Sequence, residues 1–244
     1  MVEDIYSGNS EKDFAIFFGM ILEEKEINQQ LKSKYKAIHK RIYNFKEIIN
    51  ISGTQEATAQ SFLLETLNGL IDVTDLLSKN RYKLASTILR NSMETFAKYL
   101  VVQNQLQDYE GFTNNFESAT SHLINNYISL VLRRPRNKDF KRLINTSYKD
   151  PFRNLYGELC DIVHARDTNY SEYHHYLESI RNSNFNQIKF EKVFNFIISC
   201  VDKMVVIFYL QNAEFLLENA NQVKLDYLLS NFDENFSEVR TYFP

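Results

Sequence analysis

FEKVFNFIISCVDKMVVIFYLQNAEFLLEN, residues 190–219, is the stretch whose reading decides the fold. Phe194, Ile197, Ile198, Val201, Val205, Phe208 and Leu216 recur mostly at three- and four-residue steps, which is the period of a helix. The most apolar window, Val193 to Leu210, is interrupted by Asn195, Asp202 and Lys203, and is too polar and too charged to span a bilayer. The spacing therefore predicts a long helix buried in a protein core. A chain built around such a helix must supply others to cover it.

Those covering helices can be read outward from this stretch. Phe14, Phe17 and Ile21, then Ile27, Leu31, Tyr35, Ile38, Ile42, Phe45 and Ile49, predict one amphipathic helix or two in succession, with Ser10 able to cap the start. Ile51-Ser52-Gly53-Thr54 combines a terminating glycine with a fresh N-cap, and a further helix runs through Phe62, Leu67, Leu70 and Leu77 to about Asn80. Helices are expected over about Tyr82 to Gln105 and Tyr109 to Leu132, with a short segment near Phe140 to Ile144. Asp150-Pro151 reads as an N-cap followed by proline at the first helical position, opening a helix that reaches His164. Ala165 to Asn186 is polar and weakly periodic. The last amphipathic helix carries Val223, Leu225, Leu228, Leu229 and Phe232. The expectation is an all-α bundle of about six to eight helices. It divides into an N-terminal helical segment (1–53) packed on the bundle (54–218) and a C-terminal amphipathic helix (219–244).

Composition agrees with that reading. The 244 residues are 44% hydrophobic and include only 6 Gly and 3 Pro, against average usage of roughly 7% and 5%, which argues against a sheet-rich fold with many tight hairpins. A net charge of −3 supplies no global basic field for nucleic acid. Cys160 and Cys200 both fall inside apolar helical patterns, which suits reduced, buried thiols in a cytoplasmic setting. The first ten residues lack the basic and apolar blocks of a signal peptide.

Two polar clusters stand out on the apolar background: Arg90-Asn91-Ser92-Met93-Glu94, and the segment Arg153 to His164 that ends Cys160-Asp161-Ile162-Val163-His164. On the Tyr82 helix, Leu84, Ile88, Leu89, Met93, Phe96 and Ala97 fill a core arc that Arg90 and Glu94 flank. On the Pro151 helix, Arg153, Gly157, Cys160 and His164 line the margin of the core arc, with Asp161 farther round. Gly157, in mid-helix, hints at close packing. One reading makes Glu94 a surface partner of Lys98 and His164 a charge at a helix C-terminus, both ordinary structural devices. The other makes His164, helped by Asp161 or Asp167, an acid or base beside an arginine that steadies a phosphate, from Arg90, Arg153 and Arg166.

Two further signals carry less. Arg133, Arg134, Arg136, Lys138, Lys141 and Arg142 form the densest basic run, which is either solvated surface or a phosphate contact. Asp161-x-x-His164, His175-x-x-Glu178 and Glu94 fall short of the carboxylates that a metal site in a helical bundle requires. No metal and no cofactor is therefore expected.

Arg90-Asn91-Ser92-Met93-Glu94 within Leu84 to Leu100, followed by Leu155-Tyr156-Gly157-Glu158-Leu159-Cys160-Asp161-Ile162-Val163-His164 and a long apolar helix, resembles the HEPN superfamily, in particular its abortive-infection-like and uncharacterised bacterial branches. The resemblance covers about residues 60 to 218. It implies an up-and-down bundle, a homodimer and, in active members, a metal-independent ribonuclease centre made of an arginine, a polar residue and a nearby histidine. It also implies a setting in phage defence or toxin systems, with RNA or a partner protein as the target. The chain departs from the motif. Arg166-Asp167 is the nearest remnant, and seven residues separate Arg166 from His174, while ten separate Arg153 from His164. If the protein is catalytic, the resemblance assigns His164 as acid or base, Arg90 or Arg153 as phosphate anchor, and Glu94 and Asp161 as orienters. A non-enzymatic interaction module is the alternative, with the polar cluster locking the bundle seam and the C-terminal amphipathic helix docking a partner.

Overall fold

The computed structural model describes residues 2–21, 29–53, 56–131, 137–164, 184–232, 238–239 and 241–242. All regular structure among them is helical: α1 (Val2–Ile21), α2 (Gln29–Ser52), α3 (Ala57–Ser78), α4 (Tyr82–Gln103), α5 (Phe112–Val131), α6 (Asn137–Ile144), a π turn (Asn145–Lys149), α7 (Asp150–Val163), α8 (Gln187–Asn219) and α9 (Gln222–Leu229). The protein is an all-α bundle, and the N-terminal periodicity resolves into two helices.

The long helix α8 is the centre of the core. Phe190, Val193, Ile197, Cys200, Val201, Met204 and nearly every residue from there to Leu210 are buried. Contrary to the expectation from Asn195, Asp202 and Lys203, it is long and apolar enough to cross a membrane by length and composition; it is instead mostly buried inside the protein. Its one buried charge, Asp202, receives Arg41 Nε of α2 at 2.7 Å. A carboxylate in an apolar core is costly unless it is paired, so this bond fixes which face of α2 meets α8. From α8 a line of aromatic rings runs outward. Phe208 meets Phe45 of α2 (centroids 5.6 Å apart), Phe45 meets Phe96 of α4 (6.4 Å), and Phe96 meets Phe152 of α7 (6.3 Å), each edge-to-face as ring quadrupoles prefer. Phe152 continues to Phe116 and Phe112 of α5, and Phe112 stacks on Tyr156 of α7 at 3.9 Å.

Helix ends show how a glycine-poor chain turns. Asn80 (φ 57°) and Gln105 (φ 52°) take the left-handed conformation that glycine usually supplies. In each case the next residue's N–H, from Arg81 or Leu106, reaches back to Leu76 or Val101, closing the helix. Gly53 (φ +58°) ends α2 as expected. The α3 cap is Glu56, whose carboxylate accepts from Ala59 N–H at 2.8 Å; Thr54 lies outside the described residues. Ser10 is not a cap: it is buried in the interior of α1.

Asp150-Pro151 is not a break either. Residues 149 and 150 are helical, no side chain caps α7, and the Asp150 N–H bonds to Asn145 O, five residues back. A proline inside a helix removes a donor and crowds the preceding turn, and the π turn widens the backbone to accept it without ending the helix. Phe140, Ile144, Tyr148 and Phe152 thus bury one continuous face across the junction.

Helices α3 and α4 form an antiparallel hairpin whose register is visible in Thr66 Oγ1 and Thr95 Oγ1, 3.0 Å apart. The close-approach glycine lies here. A Cβ on Gly69 would come within 2.2 Å of Ser92 Oγ, whereas one on Gly157 would meet nothing within 4 Å, so the close packing expected at Gly157 occurs at Gly69 instead. Leu84, expected in the core arc, is 48% exposed on the outer side of this hairpin. Gly69→Ala should destabilise the protein by about 1–3 kcal/mol through overpacking, and Gly157→Ala should stabilise it by up to about 1 kcal/mol. Denaturant melts of both variants check the pair, and Ser92→Gly should restore much of the first loss.

Helix α1 is fastened by His39 of α2. Its Nε2–H donates to Asp13 Oδ2 at 2.7 Å, its ring sits among Phe14, Phe17 and Tyr43, and its buried Nδ1 has no hydrogen-bond partner. Burial holds this imidazole below its ordinary value of 6.5, outweighing the upward pull of Asp13 and Glu11. The unfolded chain therefore takes the proton first. The stabilisation is complete above about pH 6.5 and declines as the pH falls below it. Thermal melts should show Tm falling between pH 7 and 5.5, with a shallower fall in His39→Phe; equal slopes in the two proteins would contradict this account.

Candidate functional site

Along α7, Tyr156, Cys160 and His164 follow one another at four-residue intervals, so they share a face. On α4, Arg90 and Glu94 are likewise one turn apart. The two helices are pressed together by buried Leu89, Met93 and Phe96 on one side and Phe152, Leu155 and Leu159 on the other. This packing brings the two sequence clusters into contact: Arg90 Nη1 lies 3.4 Å from His164 Nε2.

The contact is one side of a closed arrangement. Arg90 Nε lies 3.3 Å from Glu94 Oε1, and the same oxygen accepts the Tyr156 hydroxyl at 2.7 Å. Arg90 and Glu94 retain 19% and 33% of their side-chain exposure, and His164 is exposed at the helix end. The Arg90 Nε is buried and makes an ion pair without hydrogen-bond alignment. An arginine N–H pointing at Nε2 needs a lone pair there, which puts the neutral ring's proton on Nδ1. Burial, then the Glu94 carboxylate, pushes the Tyr156 phenol well above its usual range, so Tyr156 is a donor at any working pH.

The structure sorts the other expected residues. Arg153 does not join this group: it is 45% exposed and reaches Glu117 Oε1 at 3.0 Å and Asp150 Oδ1 at 3.7 Å, with Lys149 on the other Glu117 oxygen. Its position four residues after the end of the π turn directs it towards α5. Lys98 does not pair with Glu94 either; its Nζ lies over the Phe62 ring, 5.9 Å from the centroid, and Arg90 takes the carboxylate instead. Asp161 is exposed near the end of α7. Lys138, Lys141 and Arg142 are exposed on α6, where Arg142 sits 3.4 Å from Asp139. Arg133, Arg134, Arg136, Arg166, Asp167, His174 and His175 lie outside the described residues.

Among the described residues no group of three His, Cys, Asp or Glu side chains gathers as metal ligands. The two thiols differ. Cys200 is fully buried against Met204 Sδ at 4.0 Å, and burial pushes it up, which makes it inert; Cys160 is half-buried beside Tyr156. The residue that the polar clusters did not single out is Tyr156. The signal was its four-residue step to Cys160 and His164, which apolar patterning hides because a tyrosine counts as core.

No family model, curated protein or solved structure matches this chain.

The geometry ranks the two arginines. Arg90→Ala leaves the half-buried Glu94 with Tyr156 alone and should cost about 1 kcal/mol or more, whereas Arg153→Ala, at an exposed pair, should change stability by less than about 1 kcal/mol. Urea titrations of both variants provide the comparison.

Proposed function

We propose that this chain is a HEPN-like, metal-independent ribonuclease of the bacterial cytoplasm, working as a homodimer in phage defence or a toxin system, with Arg90 and His164 at its reacting centre. The observation that carries this is the 3.4 Å approach of Arg90 to His164, from helices whose sequences are 74 residues apart, at an exposed edge of the bundle.

The chemistry follows from the groups. A guanidinium matches two phosphoryl oxygens of an RNA backbone and favours the extra charge of the transition state. When the phosphate takes the Arg90 donors, His164 Nε2 is released and accepts the proton of the neighbouring 2′-hydroxyl. O2′ then attacks phosphorus, the bond to O5′ breaks, that oxygen takes a proton from water, and the hydroxide left takes back the proton that His164 had accepted. The products are a 2′,3′-cyclic phosphate and a 5′-hydroxyl. Glu94 keeps Arg90 at the site, and the exposed Lys138, Lys141 and Arg142 of α6 supply sequence-independent backbone contacts.

A second reading, a non-enzymatic interaction module, is favoured by one observation: Leu64 and Ile71 of α3 and Leu84 of α4 are each about half exposed on adjoining helices. In that case Arg90, Glu94 and Tyr156 lock the α4–α7 seam, and the α3–α4 face takes a partner protein in place of the C-terminal helix, whose Leu225, Leu228 and Leu229 are buried.

Incubating the wild type, His164→Ala, Arg90→Ala and Arg153→Ala with a mixed RNA pool in EDTA separates the two. Cleavage leaving 5′-hydroxyl ends, reduced about 10²-fold or more by the His164 and Arg90 changes and retained by Arg153→Ala, is the expected result. Intact RNA with every protein, all folded, would favour the interaction module.

A further inference from the structure

We infer that Tyr156 is a positioning residue that keeps Arg90 turned towards His164; the inference rests on the reading of Arg90 and His164 as a phosphate site. Without Tyr156, Glu94 would be the natural end point for Arg90. The two are one turn apart on the same helix, within pairing reach, although the arginine-first order is the weaker of the two. A guanidinium bound edge-on by that carboxylate has fewer donors to offer a phosphate. In the structure the ion pair has formed but has not closed into a hydrogen bond. Glu94 Oε1 is 2.7 Å from the Tyr156 hydroxyl and 3.3 Å from Arg90 Nε, and the Arg90 contact lacks hydrogen-bond alignment. Tyr156 therefore holds the carboxylate on the α7 side, and Arg90 directs Nη1 to His164 instead.

For this role the hydroxyl must be fixed in space and must always donate. The ring meets the first condition: it stacks on Phe112 with centroids 3.9 Å apart and planes 19° apart, and Phe112 is itself packed on buried Phe116 and Phe152. Burial meets the second by keeping the phenol protonated. Two turns of α7 separate Tyr156 from His164, so one helix sets both the residue that orients Glu94 and the residue that Arg90 meets.

Tyr156→Phe in the full chain keeps the stack and removes only the hydroxyl. The first readout is the His164 imidazole Hε1–Cε1 NMR signal at neutral pH, alone and with inorganic phosphate added. In the variant this signal should move, and its response to phosphate should shrink towards that of Arg90→Ala, while the melting curve stays near that of the wild type. In RNA cleavage kcat should fall roughly tenfold with KM little changed, the weight of one charge-assisted hydrogen bond. Glu94→Gln tests the same link from the other side, and adding Tyr156→Phe to it should do little more, because a coupled pair is not additive. A His164 signal and phosphate response identical to wild type in Tyr156→Phe, or effects that simply add in the double variant, would overturn the inference. Absence of cleavage by the wild type overturns the ribonuclease reading alone, since the His164 signal still decides the role of Tyr156.

Discussion

Everything in this molecule depends on keeping α8 out of water. A helix of 33 residues this apolar can exist in a bundle only if other helices cover it on nearly every side, and α2, α3, α4, α5 and α7 all make contact with it. Apolar contact is non-directional and would let a covering helix slide or rotate. The Arg41–Asp202 bond removes that freedom, because a buried carboxylate has to meet a cation. From there the edge-to-face rings Phe208, Phe45, Phe96 and Phe152 carry the register across three covering helices.

The polar site lies at the end of this aromatic line and inherits its geometry. Phe152 is one turn before Tyr156 on α7, and Phe96 is two residues after Glu94 on α4, so the rings that lock the two helices also set the spacing of the polar groups. The four groups balance each other in sequence: a phenol holds a carboxylate, the carboxylate restrains a guanidinium, and the guanidinium selects the tautomer of an imidazole. Each retains some exposure except where it touches the next. Such a partly open polar seam is more specific in geometry than it is stabilising.

Much of the fold was legible in the sequence because the signals were local. Residues 190–219 spell out a helix and its burial, and Gly53, Asn80 and the Tyr82 start mark real boundaries. Asp150-Pro151 misled because the same dipeptide that opens a helix can be absorbed within one by a π turn, and only the backbone of the preceding residues tells which. Ser10 and Leu84 fail for a related reason: capping and core arcs depend on where neighbouring helices lie. Of the candidate site, Arg90, Glu94 and His164 come together as polar groups flanking apolar arcs would suggest. Arg153 diverges because Glu117, on a helix that no pattern in α7 identifies, draws it away. Tyr156 was hidden because an aromatic residue at helical spacing reads as core.

The Arg41–Asp202 bond also has a meaning in time. Its two ends are 161 residues apart, so a ribosome that has just released Arg41 works on the order of ten seconds or more before Asp202 emerges. The hairpin of α3 and α4 needs no such delay, since Thr66 and Thr95 are 29 residues apart. The residues of the hairpin are thus complete while the α2 rings Tyr35 and Phe45 still lack their α8 partners Phe190 and Phe208. During that interval the α2 residues that pack on α8 have no α8 to cover them, so the core cannot close until the last third of the chain is made.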